Sequence, residues 1–255
     1  MSRSPVPSLQ GRVVVITRPA GTGAGLARRV RALGGRPLLL PGLSLQAVDD
    51  ATTRAALARA LRAPAVIFTS PAAVRFAAAL VPIPADCAAI GVGQGTARAL
   101  RRTGVTDPQS PARQDSEGVL ALPALQSPAG RAVALVGAAG GRGLLRATLR
   151  ARGARLDEVH VYARGAPRLD RRHVKAVLAL PADARVLLSS VEALHHLARQ
   201  LPPEAWAVLQ RGVAVVSSER LGEAARAAGF TRLAQARSAG GADLLAAAAG
   251  GFTQP

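Results

Sequence analysis

The chain has 255 residues, of which 49% are hydrophobic and only 2% aromatic, with one Trp and one Tyr. That length suffices for one large core or two of ordinary size, and the shortage of aromatics removes the base-stacking surface on which single-strand binders depend. The formal charge of +18 is almost wholly arginine, since Lys175 is the only lysine, so an acidic partner is expected: nucleic acid, an anionic surface or a small polyanion.

The opening MSRSPVPSLQ has no apolar core of a signal peptide, and no apolar run is long enough to span a bilayer. A soluble cytoplasmic protein without a membrane partner is expected. RVVVIT (12–17) is the first strand. In GLARRVRALGG (25–35) Leu26, Val30 and Leu33 share one helical face and Gly34 marks the stop. PLLLP (37–41) is the next strand. VIFTSPAAVRFAAAL (66–80) runs strand, hydroxyl pair, helix. AAIGVGQGTARALRRTGV (88–105) runs strand, tight turn, helix and glycine stop, and the half closes on DSEGVLALPAL (115–125).

The second half restates the first, with Gly130-Arg131 answering Gly11-Arg12. RAVALV (131–136) is a strand, GLLRATLRARG (143–153) a helix and LDEVHVYAR (156–164) a strand. VLLSSVEALHHLARQL (186–201) repeats the strand–hydroxyl–helix unit, VAVVSSERLGEAARAAGF (213–230) the strand–turn–helix unit, and SAGGADLLAAAA (238–249) the closing helix. Such alternation predicts an α/β protein of two similar lobes, each a parallel sheet flanked by helices. The stretches 41–50 and 161–170 interrupt the two copies and read as extended connectors.

In an open parallel sheet, ligands sit at the carboxyl ends of strands, where helix N-termini point unpaired N–H groups outward. The hydroxyls there have a first duty as caps. Ser70 precedes Pro71, a favoured first helical residue; Ser189 with Glu192 reads as a capping box, and Ser190 as an alternative cap. A capped helix start still offers N–H groups and a positive dipole end to a carboxylate. Two such edges facing one another are expected to grip an anionic ligand from two sides.

Other chemistry is poorly represented. GTGAG (21–25) and GVGQGT (91–96) fail as dinucleotide fingerprints, because the third glycine falls too early and no acidic residue follows the first at the ribose distance. The ATP-type phosphate loop and the G-x-S-x-G elbow are absent from the sequence. His195 and His196 are adjacent and cannot jointly ligate a metal, while His160 and His173 read as isolated. Cys87, the one cysteine, excludes an internal disulfide and a cysteine metal cage and reads as a core residue. No cofactor and no metal are expected. Tyr162, the sole tyrosine, closes a strand just before a connector and is the best candidate for a proton donor.

TRP (17–19), FTSPAAV (68–74), IGVGQGTARAL (90–100), DSEGVLAL (115–122), GGRGLLRATLRARGARLDEVHVYAR (140–164), LLSSVEAL (187–194) and LGEAARAAGF (221–230) follow one another in an order that resembles the uroporphyrinogen-III synthase family over nearly the whole chain. The resemblance implies two α/β lobes joined by a two-stranded connector: 11–40 with 168–250 as the first, 48–160 as the second, and 41–47 and 161–167 as connectors. It implies a cofactor-free lyase, working as a monomer without nucleic acid, whose substrate is hydroxymethylbilane, a linear tetrapyrrole octacarboxylate. The terminal hydroxyl leaves as water and the macrocycle closes with inversion of the last pyrrole ring, through a spirocyclic intermediate. The family's tyrosine falls on Tyr162 and its turn threonine on Thr96. Ser70 and Ser190 match the hydroxyls after the strands, and Arg18 matches the arginine of the opening turn. Ser116 and Arg142, inside matching stretches, complete the implied substrate-binding set. Two positions depart from the pattern: Leu221 stands where the second copy has threonine, and Val136-Gly137 where Arg-Gly is usual. A rival reading, a non-catalytic two-lobed binder or sensor of a small polyanion, fits the same strand edges.

Overall fold

A computed structural model describes residues 8–140 and 143–250. From the amino end, β1 (Val13–Ile16), α1 (Ala24–Ala32), β2 (Arg36–Leu39) and β3 (Ser44–Ala47) come first. They are followed by α2 (Ala51–Ala60), β4 (Val66–Phe68), α3 (Pro71–Leu80), β5 (Ala89–Gly91) and α4 (Gln94–Arg102). Two short helices, α5 (Ser116–Leu120) and α6 (Pro123–Gln126), precede β6 (Ala132–Ala138), α7 (Gly143–Ala151) and the long β7 (Arg155–Gly165). The remainder is α8 (Arg171–Leu178), β8 (Arg185–Leu187), α9 (Val191–Gln200), α10 (Pro203–Gln210), β9 (Val213–Val216), α11 (Glu219–Ala227), β10 (Arg232–Gln235) and α12 (Gly241–Ala249). No helix among the described residues is long and apolar enough to cross a membrane.

The chain divides into two compact units, one taking the residues up to Leu45 and from Gly165 on, the other Gln46–Arg164. In the first, the strand order is β10-β9-β8-β1-β2, and every pair is parallel. The opening β–α–β unit therefore shares a sheet with the end of the chain. Alternate residues of each strand enter different cores. Val15, Val186, Ala214 and Val216 pack with α8–α11 on one face, while Val14, Ile16, Leu187, Val213 and Val215 pack with α1 and α12 on the other. Both faces are dry, which is why VVVI and VAVV are unbroken apolar runs.

The second unit holds a sheet of order β3-β7-β6-β4-β5, in which β7, β6, β4 and β5 are parallel. Ile67, Ile90, Val133 and Leu135 form one core face with Val119 of α5 and Leu145 and Leu149 of α7. The stretch expected to be a connector is extended, but β7 continues through Tyr162 to Gly165 as one strand, with Tyr162 opposite Ala138 across a register shift after Gly137.

One helix ending recurs through both copies. After α1, the Gly34 N–H donates to the Arg31 carbonyl and the Gly35 N–H to that of Val30, with Gly34 at φ +81°. After α4 the same bonds run from Gly104 to Arg101 and from Val105 to Leu100, with Gly104 at φ +97°. This left-handed closure satisfies the last helical carbonyls and aims the chain at the next strand. A Cβ on Gly104 meets nothing within 4 Å, so Gly104→Ala isolates the backbone strain. It should destabilise by about 1–2 kcal/mol, read as a lower denaturant midpoint with an unchanged slope.

Candidate active site at the strand ends

Each sheet has one topological switch point, where neighbouring strands are continued by connections running to opposite sides. It lies between β4 and β6 in one unit and between β1 and β8 in the other. Open crevices form at the carboxyl ends of such strand pairs.

At the β4–β6 crevice, Ser70 has extended backbone and accepts the Ala73 N–H on Oγ at 3.0 Å, with Pro71 beginning α3. The same Oγ stands 3.2 Å from the Tyr162 hydroxyl, a bond that either oxygen can donate. Tyr162 is buried, and its ring stacks on Phe76 of α3 with centroids 5.2 Å apart. Helix α3 thus fixes the phenol twice, by ring contact and through its own cap. Thr69 donates Oγ1–H to the Val136 carbonyl at 3.2 Å. A Cβ on Gly137 would lie 2.2 Å from Thr69 Oγ1, so any larger residue here would force Thr69 or the strand end to shift.

Above this floor is a cavity of about 210 Å³ reached by Thr69, Ser70, Tyr162, His160, Arg146 and Arg164, among others. Arg146 is held 3.5 Å from Glu158, which also takes Arg150 at 2.7 Å. Arg164 donates to the Ala139 carbonyl at 3.1 Å. On the other flank of Ser70 lies a second cavity of about 270 Å³, lined by Thr96 and Gln114 together with Gly93 and Gly95. Here α4 begins at Gly93, which has no side chain to cap it; Gln114 reaches in and accepts the Gln94 N–H on Oε1 at 3.1 Å. Two helix starts therefore converge on Ser70 and leave N–H groups and positive dipole ends for an anion.

In the other unit, the crevice between β1 and β8 is closed at its base by a reciprocal pair. Thr17 donates Oγ1–H to the Leu187 carbonyl at 2.9 Å and accepts the Ser189 N–H at 3.0 Å, while Ser189 donates Oγ–H to the Thr17 carbonyl at 2.9 Å. The expected Ser189–Glu192 capping box is therefore not formed. Ser190 is the cap, accepting the Ala193 N–H at 3.1 Å with the same extended backbone as Ser70. The Ser189 hydroxyl is already committed across the sheet. Arg18, next to Thr17, is half-buried and donates to the Ala239 carbonyl at 3.3 Å. Burial, followed by the charge of Arg29, pushes its guanidinium below its ordinary range; a carboxylate would relieve both effects.

The remaining expected residues divide. Thr96 is buried as the third residue of α4, and Leu221 holds the same place in α11, also buried. The second copy has moved the hydroxyl to the helix cap, where Ser218 accepts the Leu221 N–H at 3.3 Å. Ser116 begins α5, whose cap is Asp115. Arg142 lies outside the described residues. Burial and then Asp86 push the Cys87 thiol up to about 11, so it is a core residue and no nucleophile. Thus Ser70, Tyr162 and Thr96 meet around two cavities of one unit, while Arg18 and Ser190 stand at the crevice of the other.

Residues 24–246 match the family model described as uroporphyrinogen-III synthase HemD. The chain belongs to the uroporphyrinogen-III synthase family. The uroporphyrinogen-III synthase of Salmonella typhimurium is 33% identical over 247 residues, spanning 92% of this chain and 98% of that protein. The fold is shared with solved structures as well: the Helicobacter pylori uroporphyrinogen-III synthetase, with TM-score 0.57 at 15% identity over 92% of this chain and 96% of that one, and a mutant Thermus thermophilus uroporphyrinogen III synthase, with TM-score 0.53 at 20% identity over 86% and 90%. Uroporphyrinogen-III synthase activity is the cyclisation of hydroxymethylbilane, a linear tetrapyrrole, with loss of water and inversion of the last pyrrole ring.

Four residues at the candidate site, Thr17, Gln114, Gly137 and His160, were not among the expected site residues. Gly137 carried a usable signal, a glycine inside an apolar strand, which marks close backbone approach. Gln114 lies in an irregular loop and carried none.

Proposed function

We propose that the β4–β6 crevice is where the hydroxymethyl end of the substrate loses water, with Tyr162 donating a hydrogen bond to the departing oxygen. The observation that carries this is the Ser70–Tyr162 pair, held by α3 and facing an open cavity. As the carbon–oxygen bond breaks, the pyrrole nitrogen pushes its electron pair toward the exocyclic carbon and negative charge gathers on the oxygen. When Ser70 donates to the phenol oxygen, the phenol O–H is free to meet that charge. A donor fixed in advance acts on charge that exists only as the bond breaks, which is where stabilisation accelerates a reaction.

The cavity's volume of about 210 Å³ suits one substituted ring, since pockets for whole drug-sized ligands run to roughly 300–1,000 Å³. That ring's carboxylates have Arg146, Arg164 and the starts of α3 and α4 as partners. Thr96, Ser116, Arg142, Arg18 and Ser190 complete the proposed substrate-binding set, and the basic helices suit an octacarboxylate without nucleic acid. Closure with ring inversion then depends on folding the linear chain so that the correct carbon is attacked, which is a matter of orientation. The enzyme is proposed to act as a monomer in the cytoplasm.

Purified protein given hydroxymethylbilane and no added cofactor should yield the type III macrocycle. Chromatography of the oxidised products separates the isomers; type I alone would refute the proposal.

A further inference from the structure

We infer that His160 is the catalytic acid of the dehydration, the group whose proton ends on the departing oxygen; this rests on the Tyr162 site proposed above. Glu158 and His160, two apart on β7, share the face toward α7. The register shift that skips Val161 brings Tyr162 to the same cavity from its stack on α3, so that Glu158, His160, Tyr162 and Arg164 all line it. Across the sheet His160 is in register with Gly137 of β6, and Gly137 presses against Thr69 of the adjoining β4 end. The sheet surface between Thr69 and His160 is therefore bare of side chains. This strip is the cavity floor, and the imidazole stands at its edge. His160 is itself exposed, so it exchanges protons with solvent between turnovers.

Among the described residues, the ionisable groups facing it are Glu158, Tyr162 and Arg164 along β7 and Arg146 from α7, and β4 and β6 place no ionisable side chain on the cavity. Glu158 is engaged by Arg146 and Arg150. Phenols donate hydrogen bonds well but are weak acids, whereas imidazole is the side chain most often used to pass a proton in general acid catalysis. In the step, the carbon–oxygen bond breaks and its electron pair leaves with oxygen. The imidazolium proton passes to that oxygen to make water, leaving neutral imidazole and a cationic pyrrole. The exocyclic cation then bonds the last ring at the carbon already carrying a bridging methylene, giving the spirocycle. The older bond from that carbon to the methylene breaks, the methylene cation so released bonds the ring's unsubstituted α-carbon, and the proton lost from that carbon returns to the imidazole. The cycle balances without an added reactant.

The test is steady-state kinetics of the full chain, counting only type III product, for the parent, His160→Gln and Tyr162→Phe across pH 5.5–8.5. His160→Gln should lower kcat roughly 100-fold with KM unchanged. It should also flatten the pH dependence of kcat, which Tyr162→Phe retains. If His160→Gln changes only KM, or keeps kcat and its pH dependence while Tyr162→Phe is slow, the inference is overturned and the Tyr162 site survives. If both variants match the parent, the site reading falls with it. Thermal melts of both variants confirm that the fold is intact.

Discussion

Tyr162→Phe should cut turnover roughly 100-fold, the usual loss when one fixed donor is taken from developing negative charge. The fold should hold. The ring keeps its stack on Phe76 at 5.2 Å, and Ser70 keeps the Ala73 N–H at 3.0 Å. Only the single bond between hydroxyls is lost, a stability cost of about 0.5–1.5 kcal/mol. KM should move little, because a donor aimed at the leaving oxygen gains its strength as the bond breaks. Rapid-quench measurement of type III product formation separates the chemical step from release. Equal single-turnover rates for parent and variant would remove the phenol from the mechanism. Ser70→Ala serves as the companion: it loses the helix cap, about 1 kcal/mol, together with the phenol's partner. It should therefore lower stability more than Tyr162→Phe and activity less.

What could be read from the sequence, and what could not, divides by distance along the chain. The strands were legible because both faces of each sheet are dry, so VVVI and VAVV carry no polar alternation to disguise them. The glycine stops were legible because a left-handed closure favours a residue without Cβ, and Gly34 stands where the apolar stripe of α1 ends. Ser70 was legible as a cap through Pro71, its immediate neighbour. Ser189 and Ser190 could not be told apart in the same way. Local spacing to Glu192 favours the first as cap, but Thr17, just past the end of β1 and far away in sequence, takes the Ser189 hydroxyl and leaves capping to Ser190. Tyr162 was recognised, yet its setting was not: the register shift after Gly137 sets it opposite Ala138 inside a continuing strand. His160 read as isolated because its neighbours on the cavity come from β4, β6 and α7, and register between strands is not written in any one of them.

Gly137 shows what that register demands. Gly137→Ala would bring a methyl to 2.2 Å from Thr69 Oγ1 and 3.2 Å from its Cβ and Cγ2. Threonine is stiff at χ1, and its Oγ1 is tied to the Val136 carbonyl at 3.2 Å. Either Thr69 must rotate and give up that bond, or the two strand ends must part. Overpacking of this kind costs about 1–3 kcal/mol, and for a chain of this size each kcal/mol lowers Tm by roughly 2–4 °C. Activity should fall further than stability explains, because the methyl stands on the cavity floor and displacement of Ser70 by a few tenths of an ångström carries over to the phenol it holds. A double-mutant cycle separates the two effects. Removing the obstructing oxygen with Thr69→Ala in the Gly137→Ala background should recover stability by about 0.5–3 kcal/mol beyond additivity, while type III synthesis stays depressed, since the methyl still occupies the place of the ring. Strict additivity in the melts would mean that glycine is not required for the approach of β6 to Thr69. Full recovery of activity in the double variant would mean that the floor between Thr69 and His160 is not where the pyrrole sits.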